Sequence, residues 1–442
     1  MQKILVLLCL SLFAFSCSSA PVKKGEEKII EKPTAADAEQ MQDDFLKNEV
    51  VSEEAASADQ FDDAETKKGS DVIGTRVSAD LADASREIEG GHDDRAIDIL
   101  SGAVDEEEGG FLAAFNLGVL REHQGQNDKA ANRYFQSLQK NSGFSPALEN
   151  LVRLYLKGDR IADAQRLVER FTNDRPDVLG HRAVGLLVQL HKGAYEDVIA
   201  NAKINLTKNE RHVPTMLALA EANYRLGRSE LAKSVIETAV ALRPERSELF
   251  YLAGLVELNL GSKSGAISNF KRAIKLNAHF PEAHNNLGVL YHEVRDYESA
   301  ESEFKLAIRD FPTFKEAYLN LGNAYKGGKK YKDAELAFKR AITMDEKFQD
   351  AHFNLGVLYL DSAVPGLEVI PRLQKSIASL SRYKEVAVGL KKGDPADKYI
   401  AEAKKAIEVE KQKIEMMRES PQDGSDEEDG DDGESAPEEG AE

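Results

Sequence analysis

The 442-residue chain contains no tryptophan and only two cysteines, Cys9 and Cys17. Cys9 lies inside an apolar N-terminal run, so downstream of that run a single thiol remains. An intrachain disulfide or a cysteine-built metal cluster is therefore excluded for the bulk of the chain. Basic residues are outnumbered, 58 Lys and Arg against 77 Asp and Glu, for a net charge of −19. With no basic patch, nucleic acid is not an expected partner. No apolar run reaches the roughly 20 residues that a membrane-spanning helix needs. The nine histidines contain no HExxH spacing, so the commonest zinc-protease arrangement is absent. Gly261-Ser262-Lys263-Ser264-Gly265 lacks the glycine spacing of a phosphate loop, and no serine elbow, dinucleotide fingerprint or calcium loop occurs. These gaps leave no expected catalytic residue, metal ligand or cofactor.

What is present is a period. Steps of 34 residues link Leu117 to Leu151, and Leu287 to Leu321 and Leu355. The same step carries Ala96, Ala130, Ala164, Ala232, Ala266, Ala300 and Ala334, with Val198 breaking the series. A fixed period of this length marks a repeat array, in which each unit buries its apolar face against its neighbours. Unit 281–314 shows the pattern most clearly. Leu287, Gly288 and Tyr291 share one face of a first helix. Ala300, Phe304 and Ala307 recur at i, i+4 and i+7 on a second, the spacing of a core stripe. Pro312 then stops that helix. Gly91, Gly125, Gly193, Gly227 and Gly261 fall at one register position between the two helices, where a left-handed C-cap is expected.

These residues resemble the tetratricopeptide repeat, two antiparallel helices in 34 residues with Leu-Gly, Tyr, Ala, Phe, Ala and Pro at set places. The resemblance implies an all-α fold, a right-handed α-solenoid of tandem helix pairs, over residues 77–358. It is weak in 179–212, where Gly185-Leu186, Val198 and Asn205 replace the usual residues. It falters again after Tyr359, because Pro365 and Pro371 interrupt and Glu368 takes the alanine position. Residues 359–419 therefore read as an irregular last unit with capping helices, one from about Arg372 to Val388 and a final one from Pro395 to Glu419.

The ends differ from the array. Residues 1–17 carry one lysine, an apolar run from Ile4 to Phe15, and then Ser16-Cys17, the layout of an export signal. Ala14-Phe15-Ser16-Cys17 resembles a bacterial lipobox, which implies cleavage before Cys17 and lipidation of its sulfur. An ordinary cleaved signal is the competing reading. The resemblance also implies, through Ser18, an outer-membrane lipoprotein facing the periplasm. Residues 18–76 hold 15 acidic and 8 basic residues with no sustained helical period, a composition expected to form a disordered tether. Residues 420–442 contain eleven acidic residues and no basic one, the pattern of a solvated acidic tail.

By family resemblance the first helix of each unit lines a binding groove. Asn116, Asn150, Asn286, Asn320 and Asn354 share one register position there. An amide both donates and accepts, so a ladder of them can hold the backbone of an extended peptide. Alternatively, the ladder is a common feature of the repeat with no ligand. Phe115, Tyr251, Leu319 and Phe353 fall next to the asparagines and either form apolar pockets between the amides or pack against the adjacent unit. The expected function is a non-enzymatic adaptor, membrane-anchored through Cys17, that holds proteins or extended peptides of a cell-envelope complex. In layout it is similar to pilotins and to the repeat lipoprotein of the bacterial gliding apparatus. A recruiter of periplasmic peptidoglycan hydrolases or proteases is the alternative.

Overall fold

The computed structural model describes residues 74–390 and 393–419. Cys17, the signal segment, all but the last residues of the 18–76 segment, and the 420–442 segment lie outside the described residues. Among those described there are nineteen helices and no strand. They run as α1 (Thr75–Glu89) and α2 (Asp93–Ala103), α3 (Gly110–His123) and α4 (Asn127–Lys140), α5 (Ser145–Lys157) and α6 (Ile161–Asp174), α7 (Leu179–His191) and α8 (Tyr195–Lys208). The pairing continues with α9 (Val213–Arg225) and α10 (Ser229–Leu242), α11 (Ser247–Asn259) and α12 (Lys263–Leu276), α13 (Pro281–Glu293) and α14 (Tyr297–Asp310). Then follow α15 (Lys315–Gly327), α16 (Tyr331–Met344), α17 (Gln349–Asp361), α18 (Val369–Val386) and α19 (Pro395–Glu419). This is an all-α solenoid of helix pairs. No described helix is long and apolar enough to cross a membrane.

The chain divides into two compact units, one ending at Ala324 and one beginning at Tyr325. In three pairs of the first unit a glycine faces an aromatic ring sixteen positions later. A Cβ on Gly118 would lie 2.5 Å from Tyr134, one on Gly254 2.5 Å from Phe270, and one on Gly288 2.7 Å from Phe304. Glycine is needed at these points because the ring occupies the space a side chain would take, and the rings are almost fully buried. Elsewhere the same two positions hold Ala84 and Leu100, Val152 and Val168, and Ala220 and Ile236, each pair within one core cluster. In unit 179–212 the sizes are reversed. Leu186 stands where glycine does, and Ala202 where the ring does, both buried in one cluster. The weak unit therefore keeps its register and both its helices.

The turn between paired helices depends on one left-handed residue. Gly91, Gly125, Gly193, Gly227 and Gly261 all have φ between 72° and 82°. Asp159, Arg295 and Lys329 occupy the same position with φ of 60° to 64°, a conformation that costs a side-chain-bearing residue about 1–2 kcal/mol. All close the same bond. The next N–H donates to the carbonyl five residues back, as in Gln126 to Arg121 at 2.8 Å and Asp296 to Tyr291 at 3.0 Å, and this satisfies a carbonyl the helix end leaves open.

In the second unit the irregularity expected after Tyr359 is a lengthened turn. The register places the seam filler at Arg372, but Leu380, eight residues later, is what faces Gly356, 2.6 Å from where a Cβ would be. Arg372 instead donates to the carbonyls of Tyr359 and Leu360, the latter at 2.9 Å, and so caps α17. The displaced helix begins at Val369 rather than Arg372, because Pro371 falls in its first turn, where a missing N–H is harmless. The final helix spans Pro395–Glu419 as its pattern indicates. Tyr383 donates to Asp394 at 3.0 Å and Lys384 pairs with Asp397, which ties the end of α18 to the start of α19. Residues 411–419 are exposed along their whole length.

Candidate functional site

The amides of the asparagine position are not equivalent. Asn116, Asn286 and Asn320 are buried. Asn286 donates to the Tyr251 hydroxyl at 3.2 Å, and Asn320 donates to the side-chain amide oxygen of Asn285 at 3.0 Å. Each bond ties one first helix to the preceding one. Asn150, in the first unit, and Asn354, in the second, are half-buried, and their amides bond no other side chain among the described residues. Each can still offer a donor and an acceptor to something outside the chain.

The neighbouring apolar position is largely filled from within. Phe115 lies 5.6 Å from the Tyr134 ring and 5.3 Å from Phe144. Tyr251 lies 4.8 Å from Phe280 and 5.9 Å from Phe270. In the second unit Phe353 packs against Tyr383 at 5.2 Å and Tyr399 at 6.0 Å, while Leu319 of the first unit is buried. Burial also raises the Tyr251 hydroxyl well above the ordinary tyrosine range, so it stays a neutral hydrogen-bonding group. His284 and His352 share one register position and do one job. The Nε2 of each bonds the carbonyl six residues upstream, Ala278 and Glu346, at 3.0 Å. His284 also meets Glu303 through Nδ1 at 2.6 Å.

Charged residues on the first helices add a feature that the asparagine reading missed. On α5, Arg153 holds Glu149 at 3.0 Å. Burial opposes the Arg153 charge, yet Glu149 and the more distant Glu248 raise its pKa above the usual value. Burial pushes Glu248 upward, but Arg246, its own backbone N–H and Arg153 outweigh that and hold it low. Glu282 is raised by burial, with Arg153 and Lys157 relieving it only in part. Glu122, at the end of α3, accepts the Tyr134 hydroxyl at 2.9 Å. Burial raises it, against the pull of Tyr134, Lys157 and Arg153. Groups on α3 and α5 thus share a field with groups at α11 and α13, some 100 residues later. Within the first unit the chain also returns close to itself, the Lys157 ammonium lying 5.7 Å from the Phe311 ring, and the first helices there carry both signs of charge. The signal was legible: Glu248, Glu282, Glu316 and Asp350 stand on the same 34-residue ruler as the asparagines. No group of three or more His, Cys, Asp or Glu poised for a metal occurs among the described residues.

With that geometry in hand, known families can be compared. Tetratricopeptide-repeat models match residues 81–146, 217–269, 254–294, 281–309 and 315–348. The chain carries tetratricopeptide repeats. Its fold is similar to that of the Cut9–Hcn1 hetero-tetramer of the APC/C, with a TM-score of 0.57, 15% identity and coverage of 82% of this chain and 68% of that one. A structure of MamA is 28% identical over 36% of this chain and 93% of its own, with a TM-score of 0.33. PilF of Pseudomonas aeruginosa covers 48% of this chain and 93% of its own at 14% identity and a TM-score of 0.38. No curated protein matches the sequence significantly. The repeat fold makes the chain a protein-interaction scaffold, a type of fold that is typically non-catalytic.

Proposed function

We propose that the chain is a lipid-anchored scaffold, held at the outer membrane through Cys17, whose tetratricopeptide groove captures extended segments of partner proteins. Its role is to assemble or localise a cell-envelope complex of the motility or pilus kind. The observation that carries the groove reading is the register position of the asparagines. At Asn150, in the unit that carries charges of both signs on its first helices, and at Asn354 in the second unit, a half-buried amide remains without a side-chain partner. An extended segment presents unpaired backbone N–H and C=O groups that such amides satisfy, while charge complementarity selects among segments. The lipobox residues Ala14 to Cys17 and the acidic 18–76 segment support the anchored placement.

The test is affinity capture of the full chain from its own cells after brief cross-linking, beside an Asn150→Ala/Asn354→Ala variant and a Cys17→Ala variant. The expected result is a defined set of envelope proteins that the double variant loses, together with release of Cys17→Ala from the membrane fraction. A partner set that survives the double variant moves binding away from the asparagine position. Membrane retention of Cys17→Ala removes the anchor.

A further inference from the structure

Two turns of the first unit meet. The ammonium of Lys157, the last residue of α5, lies 5.7 Å from the centroid of the Phe311 ring, which directly follows α14. The two are 154 positions apart in the chain, with the first helices α7, α9, α11 and α13 between them. Lys157 is exposed and Phe311 is half-buried, the ring held by Phe314 at 5.5 Å. Next to this contact a second group of side chains gathers. His279 meets Asp310 at 3.0 Å through Nδ1, and Arg309 holds the same carboxylate at 2.6 Å. His123, at the end of α3, lies within electrostatic reach of both Asp310 and His279 as well as of Asp93. Opposite charges far apart in the chain also feel one another in this unit, Arg153 and Lys157 acting on Glu282, and Arg153 on Glu248.

We propose that Lys157 and Phe311, supported by His123 against the Asp310 cluster, form a latch that closes the first unit's groove, and that an entering partner segment must open it. The four first helices between the latch residues line the row that the latch shuts. Its contact area is small: one side chain tip on one ring, beside a partly buried cluster. A cation over an aromatic face at an exposed site is weak, so the closed and open forms are separated by little and a ligand with modest preference shifts their balance. A larger apolar seam in this place would close the groove permanently. The gating role rests on the groove being the partner site, whereas the latch itself does not.

The test is therefore made without a partner. Full-length chain with Cys9 and Cys17 replaced by serine is labelled with nitroxides at Gly158→Cys and Thr313→Cys, and the distance between them is measured by pulsed electron resonance. Both positions border the latch without belonging to it. A Cβ on Gly158 meets nothing closer than 3.6 Å, and Thr313 is exposed. The expected result is a dominant short distance. Lys157→Met, which keeps the length and apolar stem of the side chain but not its charge, should raise the open-to-closed ratio about two- to five-fold. Phe311→Leu should do the same, with circular dichroism confirming the fold. A long, broad distribution in the parent protein overturns the latch. So does a short distance that Lys157→Met leaves unchanged, whatever Phe311→Leu does to folding.

Discussion

The units at 281–314 and 179–212 form the same helix pair from nearly opposite residues. In the first, Gly288 admits the Phe304 ring, which is 1% exposed. In the second, Leu186 fills the seam from the other side against Ala202, which is 0% exposed. Ala300 and Ala307 of the regular unit become Val198 and Asn205 in the irregular one, all buried. The comparison shows that the seam conserves the combined volume of two side chains rather than the identity of either. Interiors are close-packed, so the space between paired helices must be filled once, and it does not matter from which helix. The irregular unit does carry a cost. Asn205 replaces a small apolar residue, and its amide nitrogen is buried without a partner among the described residues.

The largest effect is expected from emptying the regular seam. Phe304→Ala leaves a cavity opposite a glycine that cannot fill it, and should cost about 3–5 kcal/mol; calorimetric or denaturant unfolding measures it. An unchanged transition would mean that Phe304 is not the seam filler.

Acid should act next, on and beside the irregular unit. His181 lies in α7 and His212 caps α9, its Nδ1 accepting the Thr215 N–H at 3.3 Å. Burial lowers both pKa values to about 4, with Arg175 adding to the effect at His181 and Arg246 at His212, and with the Phe171 carbonyl opposing it at His181. The folded state therefore binds these protons later than the unfolded chain does. Their stabilising contribution is complete above the unfolded pKa near 6.5 and is lost as pH falls from there towards 4. At pH 5 the loss is about 2 kcal/mol for each residue. His181→Asn and His212→Asn should flatten the pH profile of unfolding between pH 7 and 5. A profile as steep as the parent's would assign the acid sensitivity elsewhere.

The exchange of sizes can be tested directly by a mutant cycle. Ala202→Phe alone overfills the α7–α8 seam and Leu186→Gly alone empties it, while the double variant reproduces the pattern of 281–314. The pair should recover about 1–3 kcal/mol relative to the sum of the singles, and simple additivity would refute volume exchange at this seam. The smallest effect concerns Asn205. Asn205→Ala restores the residue type of the regular unit and removes a buried amide, so stability should rise by about 1 kcal/mol. A drop would show that the amide has a partner.

Much of this was readable in advance, for a local reason. The 34-residue ruler, the left-handed turn glycines and the helix stops are short-range features, so the helix-pair array and the final helix Pro395–Glu419 could be read from the pattern. Unit 179–212 departs from the repeat at single positions, but the departures compensate in pairs. Leu186 and Ala202 make sense as a pair, and their spacing of sixteen was the available clue. The displaced helix starts at Val369, three residues before Arg372, because a first turn accepts Pro371, which the local pattern alone reads as a stop. Of the groove residues, the asparagine register was plain. That Asn286 and Asn320 tie neighbouring helices together while Asn150 and Asn354 keep free amides was not, since partners such as Tyr251 lie 35 positions away.

By itself, the sequence determined the period, the helix pairs and the turns between them, because these depend on residues within one or two helical turns of each other. The meeting of Lys157 with Phe311, the shared field of Arg153, Glu248 and Glu282, and the move of the seam filler from Arg372 to Leu380 were decided only by the tertiary structure. Each depends on how small rotations accumulate from one helix pair to the next, or on a loop whose length resets the register. No single 34-residue window contains that information.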